Sequence, residues 1–148
     1  MNRRLRGDES GTASVFVIGI VLVLMVVAGL VVDGGRAINA RAALADDAEQ
    51  AARAGANVLD LDTLRATGDV RIDPAGARDA AERFLDARGY RPDEIVSIEA
   101  DGAQVHVVLT RVVPTSLLSL IMINEFTVDG QATARAAVGI VNELPGAP

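Results

Sequence analysis

The pattern of hydrophobic and polar positions begins with one long apolar tract. Val15 to Val32 covers 18 residues without a charged residue or a proline. A helix rises about 1.5 Å per residue and a bilayer core is about 30 Å thick, so this tract has the length of one membrane crossing. The apolar core of a cleaved secretory signal usually spans about 7–15 residues. We therefore interpret the tract as a membrane anchor rather than a discarded signal.

The arginines on the two sides of the tract predict its orientation. Three arginines precede it (Arg3, Arg4 and Arg6), and Arg36 and Arg41 follow it closely. By the positive-inside rule, residues 1–14 form a cytoplasmic leader and residues 15–32 cross the membrane. Residues 33–148 then form an extracytoplasmic domain at the cell membrane.

The segment after the tract has the composition and spacing of an amphipathic helix. Alanine dominates it, with arginine and acidic residues between. The predicted apolar face consists of Ile38, Ala42, Ala45, Ala48 and Ala52, and the predicted solvated face of Arg41, Asp46, Asp47, Gln50 and Arg53. The simplest interpretation is one long helix from the membrane to Gly55, with a hinge at Gly34-Gly35.

Farther along, the period changes from that of a helix to that of strands. Residues 57–73 are predicted as a loop, followed by a helix with Asp73 as N-cap, Pro74 at its first position and Gly89 as its stop. Two alternating segments then flank Asp101-Gly102, a hairpin signal. The predicted inward residues are Val96, Ile98, Ala100, Val105, Val107 and Leu109.

A last alternating segment follows the apolar stretch from Pro114 to Ile123, which is predicted as a short helical turn. Its small inward face consists of Val128, Gly130, Ala132, Ala134, Ala136 and Val138. These patterns predict an α+β fold in which the long N-terminal helix, transmembrane and then amphipathic, packs on a small antiparallel three-stranded sheet.

Charge and candidate chemistry exclude several classes of protein. The net charge of −6 argues against nucleic-acid binding, which needs a basic face. The "DLDT" stretch at Asp60 resembles a phosphatase aspartate pair but lacks the buried strand and large α/β fold that this chemistry needs. His106 is the only histidine and there is no cysteine, so a zinc site is not expected. We expect no enzyme activity, no cofactor and no metal.

Taken in order, these pieces resemble the TadE/TadG-like family of Tad (Flp) pilus-assembly proteins. The resemblance rests on the leader "RRLRGDESG", the tract beginning "GTASVF", the exit "VVDGGR", and the helix "ARAALADDAEQAARAGA". The valine strand, the Pro-led apolar segment and the closing "TVDGQATARAAV" strand also fit.

This resemblance implies a pilin-like, single-pass membrane protein acting as a minor pilin or pseudopilin. Its implied partners are the lipid bilayer, other pilin-like subunits and the inner-membrane assembly platform, and it permits an oligomer. It also implies pilin-type processing after a glycine, and the candidate site lies between Gly11 and Thr12. The sequence departs from the family's processing pattern, because the position five residues on is Phe16 when counted from Gly11 and Thr12 when counted from Gly7, and neither is Glu. That departure favours a protein that stays in the membrane as an anchor.

Two further groups of residues are candidates for function. Asp33, Gly35 and Arg36 form a membrane-exit signature, in which Asp33 and Arg36 are spaced to pair and either anchor the helix at the interface or dock a partner. The second group surrounds a short helix almost completely and consists of Leu117, Leu118, Leu120, Ile121, Met122 and Ile123, of which the first four are the candidate subunit contact. They are expected either to be buried under the sheet or to form a subunit contact or membrane-resting face.

A different class of function also fits the sequence. A membrane-tethered binding or sensor module would share the anchor and the small domain but would act through a ligand pocket. Recovery of pilus platform proteins with the chain would favour the pilus interpretation, whereas a monomer with a saturable ligand would favour the sensor.

Overall fold

The computed structural model of this protein describes the backbone of residues 9–136 and the side chains of residues 13–136. Three α-helices and three strands follow in order: α1 Glu9–Ala56, α2 Leu61–Thr67, α3 Pro74–Ala87, β1 Ile95–Ala100, β2 Gln104–Pro114 and β3 Glu125–Arg135. Short 3-10 turns lie at Pro92–Glu94 and Leu118–Ile121. The strands form one antiparallel sheet in the order β1-β2-β3, so the predicted α+β class is confirmed.

The chain divides into two compact units, which are described separately. The first, here called the stem unit, comprises the chain to Ile38 together with Val113–Phe126. The second, the sheet unit, comprises Asn39–Val112 and the chain from Thr127 onward.

Helix α1 is a single element of 48 residues. It continues through Gly34 and Gly35, where the sequence predicted a hinge. Each glycine costs a helix about 1 kcal/mol relative to alanine, which is too little to end a helix of this length.

In the sheet unit, α1 buries a stripe of small residues with one leucine. Its fully buried members are Leu44, Ala48, Ala51 and Ala52. The predicted stripe is therefore right at Ala48 and Ala52 but wrong at Ile38, which is 71% exposed, and at Ala42. An alanine-rich helix offers several equivalent stripes, and the single large residue, Leu44, decides which of them faces the core.

Two glycines allow the backbone of α1 to approach its neighbours closely. A Cβ added at Gly130 of β3 would lie 2.5 Å from the Ala45 nitrogen and 2.6 Å from the Leu44 Cβ. A Cβ added at Gly55 of α1 would lie 2.8 Å from the carbonyl oxygen of Ala77 in α3. The predicted close packing of a small strand face against the helix is thus confirmed.

The hairpin and most of its inward residues are as predicted. Val105, Val107 and Leu109 of β2 are fully buried, and the Asp101 carboxylate accepts from the backbone N–H groups of Ala103 and Gln104. The predicted inward position of Val96 is wrong. A β-bulge between Ile95 and Ser97 shifts the register, and Val96 is 60% exposed.

Strand β3 shows the predicted alternation over the residues that the structure describes. Val128, Gly130 and Ala134 are buried, while Thr127, Asp129 and Gln131 are exposed. Val138, the last residue of the predicted face, lies outside the described residues.

Local capping explains the two shorter helices. Helix α3 has the predicted Asp73 cap, with its carboxylate accepting from the Ala75 N–H, and Gly89 follows it with φ 80°. The segment predicted as a loop at 57–73 instead contains α2. Asp60 caps it by accepting from the N–H groups of Asp62 and Thr63. The "DLDT" stretch is therefore a helix start.

A polar network crosses the sheet unit. The Tyr90 hydroxyl donates to Asp47 at 2.9 Å, Arg88 pairs with Asp47 at 2.8 Å, and Arg111 lies over the Tyr90 ring and donates to the buried Glu94 at 2.6 Å. The prediction that Asp47 belongs to a solvated face is wrong. This half-buried carboxylate connects α1 to the segment after α3.

We expect Gly130→Ala to destabilise the protein by about 1–3 kcal/mol, because its Cβ would meet backbone atoms of α1 that cannot move aside like a side chain. Gly102→Ala is the matched control, since a Cβ there meets nothing within 4 Å. Denaturant unfolding of the full chain in detergent, followed by circular dichroism, measures both. Equal stability of the two variants would contradict the close approach.

We expect the phenol of Tyr90 to titrate with a pKa of about 12 rather than 10.0, because burial and the Asp47 carboxylate both disfavour the phenolate. Tyr90 is the only tyrosine and there is no tryptophan, so phenolate absorbance reports this group alone. The stabilisation from a raised pKa is full below pH 10 and is lost as the pH rises through about 12.

In the same titration, Asp47→Asn should lower the Tyr90 pKa and leave it above the ordinary value, since burial remains. Asp46→Asn, at the neighbouring exposed carboxylate, is the control and should leave the curve unchanged. A wild-type curve centred at the ordinary pKa would contradict the assigned contact.

Candidate functional site

The candidate site lies where the apolar tract of α1 ends. Asp33 is the first residue after the tract and is only 1% exposed. Its carboxylate accepts three backbone hydrogen bonds from one segment: Ser116 N–H at 3.0 Å, Leu117 N–H at 2.9 Å and Leu118 N–H at 2.8 Å. These donors lie 83 to 85 residues away along the chain.

The local sequence explains why these donors need a partner. They precede and begin the 3-10 turn Leu118–Ile121, and the first N–H groups of a helix have no acceptor within it. The turn has no capping side chain of its own. Asp33 supplies that cap from α1, and the carboxylate makes these hydrogen bonds charge-assisted.

The same contacts determine the charge state of Asp33. The Leu118 N–H is the largest cause that holds the pKa of Asp33 below its ordinary value of 3.8. Burial opposes this shift, and the N–H groups of Ser116 and Leu117 and the nearby Arg36 add to it. Asp33 is therefore ionised at neutral pH while it is out of contact with water.

The other two residues of the membrane-exit signature differ in what they contact. Arg36 donates from Nη1 to the Ser116 hydroxyl at 2.6 Å, so it binds the same segment as Asp33. A Cβ at Gly35 would meet nothing within 4 Å, so no close packing requires a glycine there. The signature thus reduces to Asp33 and Arg36, which both hold Ser116.

The segment held by Asp33 also packs on the apolar tract. A Cβ at Gly29 would lie 2.9 Å from Leu118 Cδ2 and 3.2 Å from the Leu117 Cβ. A crevice of about 60 Å³ continues this contact along α1, between Leu22, Met25 and Val26 on the helix and four residues of the segment: Leu117, Leu118, Leu120 and Ile121.

The four residues of the candidate subunit contact differ in their burial. Leu118 is 3% exposed and packs at Gly29 of α1. Leu117, Leu120 and Ile121 remain exposed, so the interpretation of burial under the sheet is wrong. The cause is the Asp33 cap, which draws the segment onto α1. The three exposed residues stay a predicted contact surface.

The processing site stays a prediction. Gly11 and Thr12 belong to the first turns of α1, and their side chains lie outside the described residues.

Sequence reasoning missed the link between Asp33 and Ser116. It placed Asp33 in the membrane-exit signature and left Ser116 as an unassigned residue of the Pro-led apolar segment, because no periodic pattern joins positions so far apart. Two signals point toward the link: Gly29 interrupts a run of large side chains, and a Pro-Thr-Ser sequence precedes a short apolar turn without a carboxylate cap of its own.

The remaining polar candidates have structural partners. His106 Nδ1 lies 2.8 Å from the Thr133 hydroxyl. Asp60 caps α2, as described above. Among the residues that the structure describes, no group of three or more His, Cys, Asp or Glu side chains could hold a metal ion.

Within residues 13–136, one helix is long and apolar enough to cross a membrane, by length and composition. Its apolar window has a mean hydropathy of 3.3 and is 6% buried. An apolar helix that the protein leaves uncovered is typical of a single-pass membrane protein.

Residues 11–58, about a third of the chain, match the family described as "Putative Flp pilus-assembly TadE/G-like". The family resemblance found in the sequence is confirmed over this segment, which coincides with most of α1. Comparisons with curated proteins and with solved structures find no match to this chain. The family match and the apolar helix together support a Tad pilus-related membrane protein.

We expect Asp33→Ala to release the segment at Ser116–Leu118, because three backbone donors lose the carboxylate that accepts from them. Hydrogen exchange of these amides in the full chain should accelerate by roughly tenfold or more.

Acid should also accelerate the opening of this segment in the wild type, because protonation of Asp33 weakens the same hydrogen bonds. Because the folded pKa is depressed, the stabilisation is full above the ordinary value of 3.8 and is lost as the pH falls through the lower folded value.

The control is Asp69→Ala, which removes an exposed carboxylate from the turn after α2. It should leave exchange at Ser116–Leu118 unchanged. If Asp33→Ala also leaves those amides protected, the carboxylate is not what holds the segment.

Proposed function

We propose that this protein is a single-pass membrane subunit of minor-pilin or pseudopilin type, acting in the assembly of a Tad-type pilus or a related secretion apparatus. One observation carries the proposal: the family match over residues 11–58 falls on a helix that is exposed along Val15–Val32, except at Gly29, and packed from Leu44 onward. Pilin-like assembly needs such a helix, with one part to lie in lipid and another to carry a folded domain.

In this proposal the tract spans the cell membrane with the leader 1–14 inside and residues 33–148 outside. The bare helix face contacts lipid and the apolar helices of other pilin-like subunits and of the assembly platform. The tract itself holds no charged residue. A buried carboxylate in lipid is costly unless paired, and such a pair would fix the register of neighbouring helices. Without one, the subunit is suited to stay at the base of the apparatus.

Photocross-linking from the tract tests the partners. A photoreactive residue at Val23, which is 62% exposed, should cross-link to pilus subunits or to the assembly platform in cells that make the apparatus. The matched control carries it at Glu82, on the exposed side of α3. A chain that yields no apparatus component from Val23, and that binds a saturable ligand as a monomer, would overturn the proposal in favour of a sensor module.

Intact mass and the N-terminal sequence of the protein from native membranes test its fate. A chain that starts at Met1 or Asn2 supports a permanent anchor at the base. A start at Thr12 means pilin-type processing after Gly11 and favours entry into the fibre. A start beyond Val32 would remove the anchor and the proposal with it.

A further inference from the structure

The apolar loop, defined as Thr115–Ile123, lies alongside the apolar tract of α1 and not beyond its end. Leu118 meets the tract at Gly29, and the crevice beside it reaches Leu22. At about 1.5 Å per residue, Leu22 lies roughly 16 Å along the helix axis from Asp33. That distance is about half of a bilayer core of roughly 30 Å.

The second half of the apolar loop is largely exposed, although Leu120 and Ile121 also line the crevice beside α1. Four consecutive large apolar residues are exposed to solvent: Leu120 at 66%, Ile121 at 43%, Met122 at 89% and Ile123 at 42%. In the tract beside them, Val23 and Leu24 are exposed to a similar degree. The loop and the tract thus form one continuous apolar surface within the stem unit.

Most of the backbone N–H groups of the apolar loop have partners within the stem unit. Seven of the nine donate as follows: Thr115 to the Asn124 carbonyl, Ser116, Leu117 and Leu118 to Asp33, Leu120 to Leu117, Met122 to Ser119, and Ile123 to Leu118. The hydroxyls of Thr115 and Ser119 donate to the carbonyls of Ile123 and Ser116. In a loop that is surrounded by water, water molecules can accept from the backbone N–H groups. Irregular backbone at membrane depth has no water beside it, so its polar groups need hydrogen-bond partners within the protein.

From these observations we propose that the apolar loop inserts into the bilayer beside α1, in the leaflet on the Asp33 side, with Leu120 to Ile123 against lipid acyl chains. The inference rests on the proposed membrane crossing of Val15–Val32. Asp33 is the residue that makes insertion feasible, because its carboxylate binds three loop amides and is itself removed from water. Arg36 holds the loop entrance at Ser116, where a long cationic side chain can reach the interface.

Spin labels test the depth of the loop in the intact chain. The protein has no cysteine, so single variants accept a nitroxide at one position each. The variants are Leu120→Cys and Ile121→Cys in the loop, Val23→Cys in the tract as the lipid reference, and Glu82→Cys in α3 as the water reference. In phosphatidylcholine vesicles, collision with oxygen reports lipid exposure and collision with a soluble nickel chelate reports water.

The expected result is high oxygen access and low nickel access at Leu120 and Ile121, close to Val23 and opposite to Glu82. If Val23 is in lipid while both loop positions show the nickel access of Glu82, the insertion is overturned and the anchor stands. If Val23 is also open to nickel, the membrane crossing fails and the loop inference falls with it.

A third pattern separates lipid from protein contact. If both loop positions exclude oxygen and nickel alike, a protein surface covers them and insertion into lipid is overturned in favour of a subunit contact. Diluting labelled chains with unlabelled ones then shows whether the covering protein is a second copy, because spin–spin broadening at Leu120 disappears on dilution. Circular dichroism of each variant, matched to wild type, shows that the substitutions keep the fold.

Discussion

The stem unit depends on one buried carboxylate. Asp33 binds the amides of Ser116, Leu117 and Leu118 and so joins the end of the apolar tract to a segment more than 80 residues later. A buried ionised group is stabilised only when hydrogen bonds replace its lost hydration, and three charge-assisted bonds do so here. The amide donors are stabilised as well, since the 3-10 turn has no cap of its own. The carboxylate and the three amides therefore each supply the hydrogen bonds that the other needs when it is buried.

The sheet unit is organised by a different constraint, the close approach of backbones. A stripe of alanines with one leucine gives α1 a smooth face, and Gly130 and Gly55 bring it within contact of β3 and α3. On the α1 side, Leu44 is the large buried side chain of this core, and β2 supplies Val105, Val107 and Leu109. The network of Tyr90, Asp47, Glu94 and Arg111 adds specific polar contacts at its edge, with the charges paired across elements.

What could be predicted from the sequence is what short-range chemistry determines. The cap at Asp73, the hairpin at Asp101 and the alternating face around Gly130 all follow from neighbouring residues, and each is found in the structure. The exposure of Ile38 and Val96 could not be predicted in the same way. Helix rotation in an alanine-rich stretch and a bulge in β1 depend on distant packing. The partners of Asp33 and Asp47 could not be predicted either, because these partners lie far away along the chain and no periodic pattern connects them.

The contact at Gly130 restricts evolutionary change more strongly on the strand than on the helix. On the helix side it is made by the nitrogen of Ala45 and by the carbonyl carbon and Cβ of Leu44, atoms that nearly every residue carries. The strand side needs the absence of a side chain, which glycine alone provides. Substitutions on the helix that keep its rotation can therefore occur without loss of this contact, whereas any residue other than glycine at position 130 would disturb it. In a set of related chains, glycine would be retained at the strand position, while the residues at the helix positions would vary although they make the same contact.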